Sequence, residues 1–98
     1  MENEIKLFKS YYNFSEDEKL IKINFISTGQ DIVNYSMIAK NTENFSKLEI
    51  SLYQKYTKYL DSENYFLVNG NKINRQKTLE QNNIKNNDII TLKINNLD

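Results

Sequence analysis

The sequence predicts an α+β domain of about five short strands and one helix, in the order strand, strand, helix, strand, short strand, single turn, strand. Three observations carry that reading. LIKINFIS (20–27) and IITLKI (89–94) alternate apolar and polar residues with the period of two that a half-buried strand requires. Between them, Phe45, Leu48, Leu52, Tyr56 and Tyr59 recur at steps of three or four and fall on one helical stripe. The run YFLVNGNKI contains Asn69-Gly70, a dipeptide whose tolerance of positive φ suits a tight hairpin turn.

Each element has its own local reason. Residues 1–19 form an N-terminal extension in which Ile5, Leu7, Phe8, Tyr11, Tyr12 and Phe14 precede the acidic cluster Glu16, Asp17 and Glu18. Ile5, Phe8 and Tyr12 would share one side of a short helix, and SEDEK reads either as a solvated linker or as a helix start capped by Ser15. The domain proper is expected over 20–94, with 95–98 as a tail. In the first strand Ile21, Ile23 and Phe25 point one way, Lys22 and Asn24 the other. Gly29 supplies a turn, and IVNYSMIA returns as a second strand with Val33, Tyr35, Met37 and Ala39 on its more apolar side, leaving Ile32 and Ile38 on the other parity.

The helix is expected to start at Thr42 or Asn44, either of which can accept from the free amides of the first turn, and to fray near Thr57, Asp61 and Ser62. Ile50 then lies on the side away from the core. Strands three and four meet at Asn69-Gly70. Thr78 starts a single helical turn that points Leu79 and Ile84 inward, and Ile90, Leu92 and Ile94 form the inner side of the last strand.

Composition bounds the function. Ninety-eight residues, 39% hydrophobic and 12% aromatic, suffice for one folded domain with a modest core. Lys plus Arg equals Asp plus Glu at 13 each, so no net field draws the chain to nucleic acid or to an anionic lipid surface, and Lys72, Arg75 and Lys77 read as a solvated basic loop. With no Cys and no His, the thiol nucleophile, disulfide and the common metal centres are absent. Glu16, Asp17 and Glu18 are adjacent in a polar segment, which does not place two carboxyls across a cleft. No enzyme, cofactor or metal is therefore expected. No run approaches the 18 apolar residues of a membrane span, the first ten residues lack the pattern of a secretory signal, and the cytoplasm is the default compartment. Abundant Asn, Lys, Ile and Tyr match AT-rich codon usage, so the asparagine clusters receive little functional weight.

The element order, together with Phe66-Leu67-Val68, Gly70, Ile73, Thr78-Leu79, Asn83, Ile84 and Ile90-Thr91-Leu92, resembles ubiquitin and its ubiquitin-like relatives, the β-grasp fold. The resemblance covers about 20–94 and is most specific over 66–94. It implies a mixed sheet wrapped around the helix, with the first and last strands parallel neighbours at the centre. Phe25, Phe45, Leu48, Leu52, Phe66, Leu79, Ile84, Ile90 and Leu92 would then meet in the core. Modifiers of this family end in a flexible Gly-Gly tail; this sequence ends INNLD and has only Gly29 and Gly70, both in turns, so conjugation is not expected unless a longer precursor is processed.

Relatives carry a hydrophobic patch on one sheet face. The resemblance puts its central isoleucine at Leu67, its valine at Lys93, its histidine at Thr91 and its turn leucine near Thr28, a dilution that implies specialised partners. Tyr65, Leu67, Thr91 and Lys93 are the first candidate surface, an amphipathic strip where an aromatic body and a lysine stem cover apolar area. Ile50 and Tyr53, on the outer helix side, are the second. Phe8, Tyr11, Tyr12 and Phe14 are the third, as aromatic anchors that dock either on this domain or on a host. The expectation is a non-conjugated ubiquitin-like protein-protein interaction module, a small subunit or adaptor of a larger assembly. The alternatives are a modifier cut from a diglycine precursor and a β-grasp heterodimerisation domain. Its partner is a protein or multi-subunit complex; nothing indicates nucleic acid, membrane insertion or homo-oligomerisation.

Overall fold

The computed structural model describes residues 18–27 and 32–94. The turn at Gly29, the aromatic residues Phe8, Tyr11, Tyr12 and Phe14, and residues 95–98 lie outside the described residues. Alternation in LIKINFIS produces strand β1 (Leu20–Ser27), which buries Ile21, Ile23 and Phe25 and turns Lys22 and Asn24 the other way. Strand β2 (Asn34–Lys40) pairs with it antiparallel, from Leu20 opposite Lys40 to Ile26 opposite Asn34. Tyr35, Met37 and Ala39 pack against the core and Val33, just before the strand, is fully buried, so the inner parity is the expected one.

Helix α1 (Phe45–Lys55) begins at Asn44, the second of the two candidate caps, whose side chain accepts from the Ser46 amide at 3.2 Å. Thr42 instead ties the start of the domain down, its hydroxyl donating to Glu18 at 2.8 Å. The apolar stripe outlasts the helix, because α1 stops at Lys55 and a 3-10 turn, Thr57–Tyr59, swings Tyr59 into the core. Tyr56, between the two, uses its hydroxyl to accept from the Asn34 amide at 3.2 Å and donate to the Asn34 carbonyl at 3.1 Å, clamping the helix end to the start of β2.

Strands β3 (Asn64–Val68) and β4 (Asn71–Lys72) form the expected hairpin, with Val68 opposite Asn71 across a two-residue turn. Asn69 at φ 50° and Gly70 at φ 80° both occupy the left-handed region, as a turn matched to the strand twist requires. Thr78 and Gln81 then cap a single turn reciprocally: the Thr78 hydroxyl accepts from the Gln81 amide and the Gln81 side chain accepts from the Thr78 amide, each at 3.0 Å. That turn closes at Asn83, φ 57°, with Leu79 and Ile84 buried beneath it.

Strand β5 (Asp88–Ile94) runs parallel to β1, Ile23 beside Asp88 through Ser27 beside Leu92, and antiparallel to β3. The sheet order is β2-β1-β5-β3-β4, a mixed five-stranded sheet with its first and last strands at the centre. One face is covered by α1. There Phe25, Phe45 and Phe66 form a triangle with centroid separations of 6.1, 5.9 and 5.1 Å and tilted or edge-on rings, geometry that adds about 0.5–1.5 kcal/mol per pair to the area buried. All nine residues assigned to the core by the resemblance are buried.

One feature departs from the sequence reading. Glu18 and Lys19, assigned to the extension, are tied to the domain: Glu18 pairs with Lys40 at 3.6 Å, and the Lys19 amide donates to the Asn41 side chain at 2.8 Å. The asparagines, given little functional weight in the sequence, take structural roles. Asn83 and Asn87 join Asn69 at positive φ, where Asn is tolerated better than other non-glycine residues, and Asn86 accepts from the Lys22 amide at 2.8 Å, fastening the last loop to β1. No helix among the described residues is long and apolar enough to cross a membrane.

Candidate protein-interaction face

The sheet face away from α1 is set by register. Residues directly opposite one another share a face, so Tyr65 beside Lys93 and Leu67 beside Thr91 place all four residues of the first candidate strip together on it. The row continues inward: Thr91 neighbours Ile26 on β1, and Ile26 lies opposite Asn34 on β2. One step along β5, Ile89 takes the same face beside Asn24. Three branched apolar side chains, Ile26, Leu67 and Ile89, therefore surround Thr91. Of these Ile89 is the most open, at 55% exposure, while Ile26, Leu67, Thr91, Tyr65 and Lys93 are half-buried.

The edges of this patch are polar and, on one side, basic. Lys72 sits opposite Leu67 and extends its ammonium over the Tyr65 ring, 5.4 Å from the centroid, so that its stem covers apolar surface while its charge stays in water. On the β1–β2 side, Ser36 donates to Asn24 at 2.6 Å, and Asn24 in turn donates weakly to the carbonyls of Asn87 and Asp88 at 3.4 Å. These bonds hold the polar border in place next to Ile89.

Ile26 and Ile89 were missed in the sequence. The alternation of IITLKI already turns Ile89 outward with Thr91 and Lys93, but nothing local says that Ile26 lies across from Thr91; only the parallel pairing of β1 and β5 brings them together.

The second candidate pair does not form one surface. Ile50 is 59% exposed, whereas Tyr53 is half-buried against the core and its hydroxyl donates to Glu49 at 2.8 Å. Burial first, then the Glu49 carboxylate, pushes the Tyr53 hydroxyl up to about 12. The same cluster takes in Arg75, which the sequence reading left in a solvated loop. Its Nε lies 3.1 Å from Glu49, its Nη2 donates to the buried Asn64, and its guanidinium stacks 5.0 Å from the Phe66 ring. Arg75 is a structural tie between α1, β3 and the loop after β4.

No protein-family model and no curated protein matches the sequence. Solved structures do match. A protein designed on the basis of ubiquitin is 19% identical with a TM-score of 0.66, over 81% of this chain and 93% of the other. The ubiquitin-like domain of an Arabidopsis thaliana protein is 10% identical with a TM-score of 0.67, over 88% of each chain. The ubiquitin of Caldiarchaeum subterraneum is 12% identical with a TM-score of 0.67, over 80% of this chain and 96% of that one.

This is the ubiquitin-like β-grasp fold.

On the β-grasp domain, Leu67 and Thr91 face one another at the middle of the outer sheet face, with Lys93 one row away beside Tyr65. Lys93 makes that end of the face polar. The apolar area instead extends toward Ile26 and Ile89, that is, across β5 toward β1 and toward the start of β5.

Proposed function

We propose that this β-grasp domain is a non-conjugated, non-catalytic protein-protein interaction module, a small subunit or adaptor of a larger assembly, that engages its partner through the outer sheet face. The observation that supports the reading is the register that joins Ile26, Leu67 and Ile89 around Thr91 while Ile89 remains 55% exposed. A clustered apolar patch with a fixed polar border is the form that interface cores take, and scattered single apolar residues are not. Lys72 and Lys93 flank it, so the complementary partner surface is apolar at its centre and acidic along the edge nearest β3.

The test is to isolate the native assembly with amine-reactive cross-links and map them to Lys72 and Lys93. A chain carrying both Leu67→Glu and Ile89→Glu should fold normally, since both side chains are outside the core, and should lose the partner cross-links at those lysines. Undiminished cross-linking by the folded double variant would remove this face as the interface. The non-conjugated part is tested separately: incubation with a ubiquitin-activating enzyme and ATP should give no thioester adduct.

A further inference from the structure

The three asparagines at positive φ are not chemically alike. Asn69, Asn83 and Asn87 sit at 50°, 57° and 71°. Asparagine is a thermolabile residue because the backbone nitrogen of the next residue can attack its side-chain carbonyl carbon and close a five-membered imide. That nitrogen has to be free to move and to lose its proton, and an amide already donating a hydrogen bond is neither. After Asn83 the Ile84 amide donates to the Leu79 carbonyl at 2.9 Å, and after Asn87 the Asp88 amide donates to the Lys85 carbonyl at 3.0 Å. The amides that follow Asn44, Asn82 and Asn86 are engaged in the same way, by the carbonyls of Lys77, Glu80 and Lys22.

Gly70 is the exception. A two-residue hairpin turn closes through its flanking pair, here Val68 opposite Asn71, and leaves the amide between its two central residues unused. Among the described residues nothing accepts from the Gly70 amide. Asn69 and Gly70 are both exposed, and a Cβ placed on Gly70 would meet no atom within 4 Å, so the nitrogen is uncrowded from its own side chain position and from its surroundings. The sequence contains a single Asn-Gly pair, and the fold places it at this tip.

We propose that Asn69 is a self-modification site, a carboxamide that the hairpin leaves open to conversion into a carboxylate by the Gly70 amide and water. The Gly70 nitrogen gives up its proton to hydroxide and bonds to Asn69 Cγ; the Cγ–Nδ2 bond breaks, and the leaving nitrogen takes a proton from water and departs as ammonia. Water then adds to one of the two imide carbonyls and reopens the ring. Attack at Cγ restores the ordinary backbone with an aspartate side chain, which tolerates positive φ as Asn does, so the turn survives. Attack at the backbone carbonyl gives isoaspartate, whose chain path is longer by one carbon. β4 has only two residues, and its pairs Val68 with Asn71 and Leu67 with Lys72 lie immediately beyond the turn, so that product loses both pairs and the seat of the Lys72 ammonium over Tyr65. Either product adds one acid to a chain balanced at 13 and 13. An effect on a partner rests on the outer-face reading above; the chemistry at Asn69 does not.

The full chain, held folded in warm, mildly alkaline buffer, is sampled over time, digested and sequenced by mass spectrometry, with isoaspartate scored by an isoaspartate-specific carboxyl methyltransferase. Acid should accumulate at Asn69 several-fold faster than at Asn83 or Asn87, as a mixture of the two products and faster as pH rises. Gly70→Ala, whose Cβ hinders the attacking nitrogen, should slow it several-fold. In the separated isoaspartate form, the amides of Asn71 and Lys72 should exchange hydrogen several-fold faster than in the native chain. An Asn69 that stays an amide in the folded chain while the same chain in urea converts would overturn the proposal, because the turn would then block the attack. Equal conversion at Asn83 and Asn87, a rate indifferent to Gly70→Ala, or unchanged exchange in the isoaspartate form would also count against it. Mass and exchange are read without any partner, so these failures are distinct from a failure of the cross-linking test.

Discussion

Replacing Arg75 with alanine tests whether a side chain from a loop that reads as solvated holds the fold together. Three contacts would go: the Glu49 ion pair at 3.1 Å, the Asn64 hydrogen bond, and the stack on Phe66 at 5.0 Å. The Arg75 side chain is 37% exposed and that of Glu49 11%, which places the pair between two regimes. Exposed pairs contribute about 0–1 kcal/mol, and removing one partner of a buried pair costs about 3–5 kcal/mol. Discounted for the water at the Arg75 end, the ion pair and the Asn64 hydrogen bond together account for about 1.5 kcal/mol and the ring stack for about 0.5 kcal/mol more. Arg75→Ala should therefore cost about 2 kcal/mol. At a urea m-value of about 1.5 kcal/mol/M, the unfolding midpoint falls by about 1.3 M. Arg75→Lys, which keeps the charge but loses the planar fork, should land between the two. A double-mutant cycle with Glu49→Gln should return a coupling of about 1 kcal/mol or more, as groups in direct contact do. A shift for Arg75→Ala within about 0.5 kcal/mol, the range of an ordinary surface substitution, would refute the reasoning and return Arg75 to the solvated loop.

Gly70→Ala meets no atom within 4 Å, so its cost is conformational alone: about 1 kcal/mol for a Cβ at φ +80°, read as a lower urea midpoint with an unchanged m-value. The Tyr53 hydroxyl, held neutral up to about 12 against a free value near 10, gives a pH dependence of definite sign. The folded state binds that proton more tightly, so the contribution is fully present below about pH 10 and is lost as pH rises through about 12. Tyr53→Phe should lose less stability than the native chain across that window in matched urea titrations; equal losses would mean that Tyr53 titrates freely in the fold.

The strands, the hairpin turn and the helical stripe were legible because each rests on a period or a dipeptide that acts over a few residues. LIKINFIS buries what its alternation says it buries, and Asn69-Gly70 adopts the two positive φ angles its composition permits. What was not legible depends on partners distant in sequence. Arg75 looks like any loop arginine until β3 and α1 bring Asn64 and Glu49 to it. Ile26 looks like a strand residue on the polar side until β5 sets Thr91 beside it. The 3-10 turn after α1 is a third case: Tyr59 continues the apolar stripe, but the helix yields at Tyr56, whose hydroxyl is bound to the backbone of Asn34. Within the candidate face, Tyr65, Leu67, Thr91 and Lys93 were accessible to pattern reading, and the two isoleucines that extend it were not.

The parallel seam between β1 and β5 also governs how the domain is made. The central strand pair joins Ile23 through Ser27 to Asp88 through Leu92, so β1 must wait for β5. Until β5 leaves the ribosome, Phe25, Phe45 and Phe66 have no floor to pack on, and closing a loop of that length precedes any reward from the contacts it permits. Nascent chains stalled before residue 88 should remain unfolded and open to chaperones.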